Sequence, residues 1–119
     1  MKISILADSF SVLKYEKLPQ NLAGTYFSAV TDDEVSVLCK SDLAPENYIN
    51  KEDGFRGLKI EGTLDFSLIG VISRITSILA DNDISVFVVS TFNTDYIFVK
   101  EENLTVSCQL LFDSGYDII

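Results

Sequence analysis

Six apolar residues restrict this chain more than any others. Leu68, Val71, Ile72, Ile75, Ile78 and Leu79 recur at the spacing of one face of an α-helix. Ser73, Arg74 and Thr76 lie off that stripe. Asp65 or Ser67 can cap its start, and Asp81-Asn82-Asp83 ends it. A helix buried along one stripe needs a sheet or a second helix to cover it. The flanking sequence offers both.

A strand-like run, Phe55 to Gly62, precedes the stripe. "ISVFVVST" (84–91) follows it and is apolar on both faces, which places it as a central strand. "YIFVK" (96–100) reads as its neighbour. A second helix is expected from about Asn103 to about Asp113, burying Leu104, Cys108, Leu111 and Phe112, with Gly115 as its stop. "YDII" closes as a last strand. The order strand, helix, strand, strand, helix, strand is the split βαβ, ferredoxin-like α+β arrangement, with four strands in one antiparallel sheet and both helices on one face.

Residues 1–54 offer strands but no long helix. "KISIL" and "SFSVLKY" are separated by Ala7-Asp8, and a loop holds Pro19 and Gly24. "TYFSAV" and "EVSVLC" are joined by the hairpin signature Thr31-Asp32-Asp33. "SDLAPENY" permits one short helical turn, and Glu52-Asp53-Gly54 reads as a turn. The expected organisation is therefore two units, 1–54 and 55–119, the first a degenerate copy of the second.

Charge and composition remove several functions. The formal net charge of −9 opposes a nucleic-acid partner, because that affinity rests on neutralising phosphates with Lys and Arg. No apolar run reaches the ~20 residues that span a bilayer. "MKISILAD" is too short for a secretory signal, so a cytoplasmic location is expected, with no membrane partner. There is no histidine, which removes Ser-His and Cys-His nucleophiles and the usual zinc sites. Cys39 and Cys108 read as small buried hydrophobes rather than a disulfide. No cofactor or metal is expected.

Two segments stand out as a candidate site. In "EGTLDFSLIG" (61–70), the free amides of a helix start can receive a carboxylate, and Gly70, placed in the first or second turn, permits close approach. Ser67, Leu68, Ile69 and Gly70 are its candidate residues. In "STFNTDY" (90–96), Thr91, Asn93 and Thr94 supply polar groups, Phe92 can wall a pocket, and Asp95 can receive an ammonium with charge assistance. Each segment also has a plain structural reading: a capped helix with a packing glycine, and a hairpin whose Asn93 and Asp95 bond their own backbone.

Taken together, residues 55–104 resemble small bacterial ACT-domain proteins, relatives of the CASTOR-type amino-acid sensors. The resemblance rests on Glu61-Gly62, Leu64 to Leu68, Gly70, Leu79-Ala80, Ile84 to Phe87, Ser90-Thr91 and Thr94 to Tyr96. It implies two ACT-like units in tandem, no catalytic domain, and amino-acid binding between units that pair edge to edge. In the arginine sensor the counterpart of Thr91 to Asp95 lines the pocket. Thr91, Phe92 and Asp95 match it in type, and Thr94 stands where that sensor has a bulky apolar residue. The expected function is thus a non-enzymatic amino-acid sensor that works as a homodimer through ligand-dependent assembly or partner contact. The rival is a ligand-free interaction module pairing through sheet edges. An enzyme using Asp65 or Asp95 as base ranks last, for want of a nucleophile, metal cluster or phosphate loop.

Overall fold

The computed structural model describes residues 1–62 and 70–119. In chain order the elements are β1 (Lys2–Tyr15), β2 (Tyr26–Val30), β3 (Val35–Lys40), a 3-10 turn (Ser41–Leu43), β4 (Asn50–Ile60), α1 (Val71–Ala80), β5 (Val86–Ser90), β6 (Asp95–Lys100), a second 3-10 turn (Glu101–Asn103), α2 (Leu104–Asp113) and β7 (Asp117–Ile118). They form two compact units, one of Met1–Ala7 with Arg56–Ile119, the other of Asp8–Phe55. The division expected from the sequence, 1–54 and 55–119, assigns Met1–Ala7 to the other unit.

In the larger unit the strand order is β7, the start of β1, the end of β4, β6, β5. The expected four strands are thus joined by a fifth. Lys2 and Ile3 pair in parallel with Asp117 and Ile118, and the Glu61 N–H donates to the Lys2 carbonyl at 2.9 Å. The reason is the alternation of "KISIL", which buries Ile3 fully and Ile5 partly in the helix-covered core. That core also takes Leu58 and Ile60 of β4, Ile97 and Val99 of β6, and Val71, Ile75 and Leu79 of the predicted α1 stripe.

Both helices stop as their last residues dictate. Asp83, at φ 59, lets the Ile84 N–H reach the Leu79 carbonyl and its own N–H reach that of Ala80, each at 3.0 Å. After α2, Gly115 at φ 101 repeats the pattern, with Tyr116 N–H to Leu111 O at 3.1 Å and Gly115 N–H to Phe112 O at 3.0 Å. The buried face of α2 centres on Ser107 and Leu111. Phe112, expected on the buried stripe, is 59% exposed, because the next residue after Leu111 turns about 100° away.

Among the described residues β5 is an edge strand, contrary to the expected central position; β6 lies inside it. Val86 packs on the helix-covered core, while Phe87 stacks on Phe98 of β6 with centroids 5.2 Å apart. Apolarity on both faces therefore records contacts above and below the strand, not neighbours on both sides.

In the smaller unit the order is β2, β3, the end of β1, the start of β4. Ser11, Leu13 and Tyr15 face Cys39, Val37 and Val35 in antiparallel register. Leu22 and Ala44 from the loops pack on the Leu13–Tyr15–Val37–Cys39 cluster, where the larger unit uses helices. The Tyr15 hydroxyl donates to the Pro45 carbonyl at 2.6 Å, pinning one loop down. Two breaks expected from the sequence are absent. β1 continues through Ala7-Asp8, whose extended backbone is held by Arg56 Nη2 donating to the Leu6 and Ala7 carbonyls at 3.1 and 3.3 Å. β4 continues through the expected Glu52-Asp53-Gly54 turn.

Candidate functional site

The β5–β6 hairpin is built by its threonines. Ser90 pairs with Asp95, and the Thr91 N–H donates to the Thr94 carbonyl at 2.9 Å. The Thr91 hydroxyl donates to the same carbonyl at 2.9 Å and accepts from the Thr94 N–H at 3.4 Å. The structural role expected for Asn93 and Asp95 thus belongs to Thr91 and Thr94. Phe92 stands 81% exposed at the tip, and Asn93 is also exposed. Asp95 is half-buried as the first residue of β6.

The smaller unit contains the same device. The Thr31 N–H donates to the Glu34 carbonyl at 3.0 Å. Thr31 Oγ1 donates to that carbonyl at 3.3 Å and accepts from the Glu34 N–H at 3.1 Å. In both cases a six-residue strand follows, ends in a lysine and runs into a 3-10 turn. The two hairpins differ at their fourth residue. Glu34 is exposed, whereas Thr94 is only 6% exposed and its hydroxyl donates to the Ile60 carbonyl at 2.6 Å. Ile60 is the last residue of β4. The Thr94 hydroxyl therefore ties the STFNTDY hairpin to the point where the chain leaves β4 for the connection to α1. The Ile60 carbonyl is a partner that no pattern in the sequence marks, since main-chain acceptors are common to every residue.

Of the other candidate segment, Ser67, Leu68 and Ile69, with the cap candidates Asp65 and Ser67, lie outside the described residues. Gly70 lies within them. It is not inside the helix but immediately before it, at φ 80, and its carbonyl accepts from the Arg74 N–H at 3.0 Å. A left-handed backbone at that point costs an L-residue about 1–2 kcal/mol and costs glycine nothing. Entry geometry accounts for the glycine.

A second polar cluster occupies the smaller unit. Ser11, fully buried, donates to Asp53 Oδ1 at 2.5 Å and lies 2.6 Å from the Ser41 hydroxyl. The Ser11 hydrogen bond, with Lys51 Nζ 3.5 Å from the same carboxyl, holds Asp53 below the ordinary carboxylate range. Burial pushes up both thiols, against Lys51 at Cys39 and Arg56 at Cys108, and both cysteines are free. Among the described residues no group of three His, Cys, Asp or Glu side chains could hold a metal ion. No described helix is long and apolar enough to cross a membrane.

The family model of the ACT domain matches residues 50–113. The chain belongs to the ACT-domain family. Comparison with curated proteins gave no match. Among solved structures, Atu0741 from Agrobacterium tumefaciens is similar at 29% identity and TM-score 0.89, covering 99% of this ACT chain and 91% of that one. VC0802 from Vibrio cholerae, described as a possible transport protein, is similar at 16% identity and TM-score 0.72 (94% and 88% covered). The ligand-free regulatory subunit of aspartate kinase from Thermus thermophilus shares the fold at 9% identity and TM-score 0.68, with 97% of each chain covered. These solved structures share the ACT fold with this chain.

Proposed function

We propose that this ACT-domain protein is a regulatory, non-catalytic sensor of a small amino acid, acting through ligand-dependent assembly or partner contact. The observation that carries the reading is the Thr94–Ile60 hydrogen bond of 2.6 Å, which ties the hairpin to the end of β4. In this proposal the amides around Ser67, Leu68, Ile69 and Gly70 receive the carboxylate, Asp95 receives the ammonium, and Leu68 and Phe92 select the side chain. Thr91, Asn93 and Thr94 complete the wall, the two threonines by shaping it. Kinship with CASTOR-type sensors, a homodimer and a cytoplasmic location belong to the same proposal. So does a tandem of ACT-like units with sequence copies 1–54 and 55–119, which the matching Thr31 and Thr91 hairpins support.

The test is calorimetric titration with the twenty amino acids, then with Asp95→Asn. Losing a charge-assisted bond to an ammonium costs ~1.5–3 kcal/mol, a fall in affinity of roughly 10- to 150-fold. Unchanged affinity in the variant removes Asp95 from the site. A second reading, an interaction module without a ligand, is favoured by the exposure of Val88 (38%) on an edge strand. It predicts that no amino acid shifts the melting temperature, whereas a ligand at a hundred times its Kd adds about 2.7 kcal/mol.

A further inference from the structure

At the end of the larger unit's sheet opposite β5, a groove of about 360 Å³ runs between α2 and the strands β1 and β7. Ile5 and Ile118 form one wall, and Leu104, Cys108 and Phe112 form the other. Phe112, turned off the buried stripe of α2, finds its contacts here. Among the described residues no charged side chain lines the groove. Three observations place the Arg56 guanidinium at one end of it. Nη2 donates to the carbonyl of Leu6, the residue after Ile5. Nη1 faces Glu101, which lies one turn before Leu104. At Cys108, Arg56 acts against the upward push of burial on the thiol. The side chain of Arg56 is only 19% exposed, yet its donors are not used up. Nε is buried and has no hydrogen-bond partner among the described residues. Glu101 Oε1, at 3.8 Å from Nη1, is beyond hydrogen-bond reach. An unpaired buried donor is costly, and a carboxylate is the acceptor that suits a guanidinium best.

We propose that this groove binds a monocarboxylate with a short apolar chain, of the size of octanoate, its carboxylate on Arg56 and its chain between Ile5, Ile118 and the α2 wall. Charge complementarity fixes the head: one guanidinium with unused donors stands beside a lining that carries no charge. The volume fixes the length. About 360 Å³ lies near the lower end of the roughly 300–1,000 Å³ of ligand pockets, which suits a chain of a few methylenes rather than a long lipid. Glu101 yields to the ligand because its pair with Arg56 is long and its own side chain is exposed, so little is lost when it turns to water. An apolar amino acid offers the same carboxylate, but its ammonium would then need Glu101; the variants below separate the two. The groove lies apart from the STFNTDY hairpin, at the other end of the sheet, so this second site goes beyond the sensor reading and does not depend on it.

Calorimetric titration of the full chain with butanoate, hexanoate and octanoate tests it. Affinity should rise about two- to fourfold with each added methylene. Octanol, which lacks the carboxylate, should bind at least about tenfold more weakly than octanoate. Glu101→Gln removes the competing acid and should tighten octanoate by up to about fivefold, whereas Arg56→Gln should weaken it at least about tenfold. Arg56 also holds β1, so a readout on the wild type stands beside that variant. At ten times its Kd, octanoate should slow alkylation of Cys108 by a small maleimide about tenfold. Cys39, 1% exposed in the smaller unit, should keep its own rate, each site being read by peptide mass. The proposal is overturned by absence of octanoate binding, by an affinity indifferent to chain length, by octanol binding as well as octanoate, or by a Cys108 that octanoate does not protect. A folded Arg56→Gln that binds octanoate like the wild type overturns it too. So does leucine that protects Cys108 better than octanoate and is weakened by Glu101→Gln, which would make the groove an amino-acid site.

Discussion

Replacing Thr94 by valine keeps the shape of the side chain and removes the hydroxyl that donates to Ile60 at 2.6 Å. Thr94 is 6% exposed and Ile60 fully buried, so water has little access to either group. A buried carbonyl left with one partner fewer costs about 1–3 kcal/mol. The added methyl returns at most about 0.8 kcal/mol of transfer free energy. The net expectation is a loss of up to about 2 kcal/mol, which at a slope of about 1–3 kcal/mol per molar lowers a urea midpoint by up to about 1 M. Thr94→Ser keeps the bond and should lose about half as much or less, chiefly the methyl. The built-in control is Thr31→Val. Its hydroxyl serves the matching hairpin but is exposed, so water replaces the bond and stability should change by no more than about 0.5 kcal/mol. Urea melts of the three variants followed by circular dichroism decide the point. If Thr94→Val costs no more than Thr31→Val, the hydroxyl is not a tie, and the hairpin is not held to the end of β4 in the way argued.

Other outcomes follow from single positions. A Cβ on Gly57 would lie 2.8 Å from both Leu6 Cδ1 and Phe98 Cε2; Gly57→Ala should cost about 1–3 kcal/mol in a urea melt, part of it recovered by adding Leu6→Ala. Gly70→Ala should cost about 1–2 kcal/mol for its φ of 80, and Gly70→Asn less, because Asn tolerates the left-handed region. Asp53, whose folded-state pKa is depressed, contributes stability above the unfolded value of about 3.9 and loses it as pH falls through the folded value. Ser11→Ala should therefore destabilise the protein at neutral pH, with the gap to wild type narrowing in acid; urea midpoints against pH would show it.

Periodic apolar patterns made most of the ferredoxin-like unit legible. Val71, Ile75 and Leu79 needed only a helical period and a cover, and they received both. Gly115 stopped α2 where a left-handed residue was due. What the pattern could not convey was pairing. The apolar faces of β5 read the same whether it has one neighbouring strand or two, so its edge position was hidden. β1 runs on through Ala7-Asp8, and the Leu6 and Ala7 carbonyls there accept from the Arg56 guanidinium, 50 and 49 positions away along the chain. Within the candidate site, the polarity of STFNTDY was plain, but its division of labour was not. Thr94 is buried and bonded inward because the end of β4 stands beside it, and nothing near Thr94 in sequence reports that.

The placement of Met1–Ala7 in the unit with Arg56–Ile119 has a consequence for the chain as it is made. Ile3, fully buried in the finished protein, pairs with Ile118, which is synthesised 115 residues later. At roughly 5–20 residues per second, that partner arrives about 6–23 s after Ile3 is joined. Throughout that interval "KISIL" is an extended apolar segment without its final neighbour, the kind of segment that pairs with foreign strands. The larger unit cannot close as soon as its helices emerge; it must hold a place open for the earliest part of the chain. A fragment beginning at residue 55 lacks the strand against which β7 is laid, so each half expressed alone should be judged as an incomplete sheet rather than as a domain.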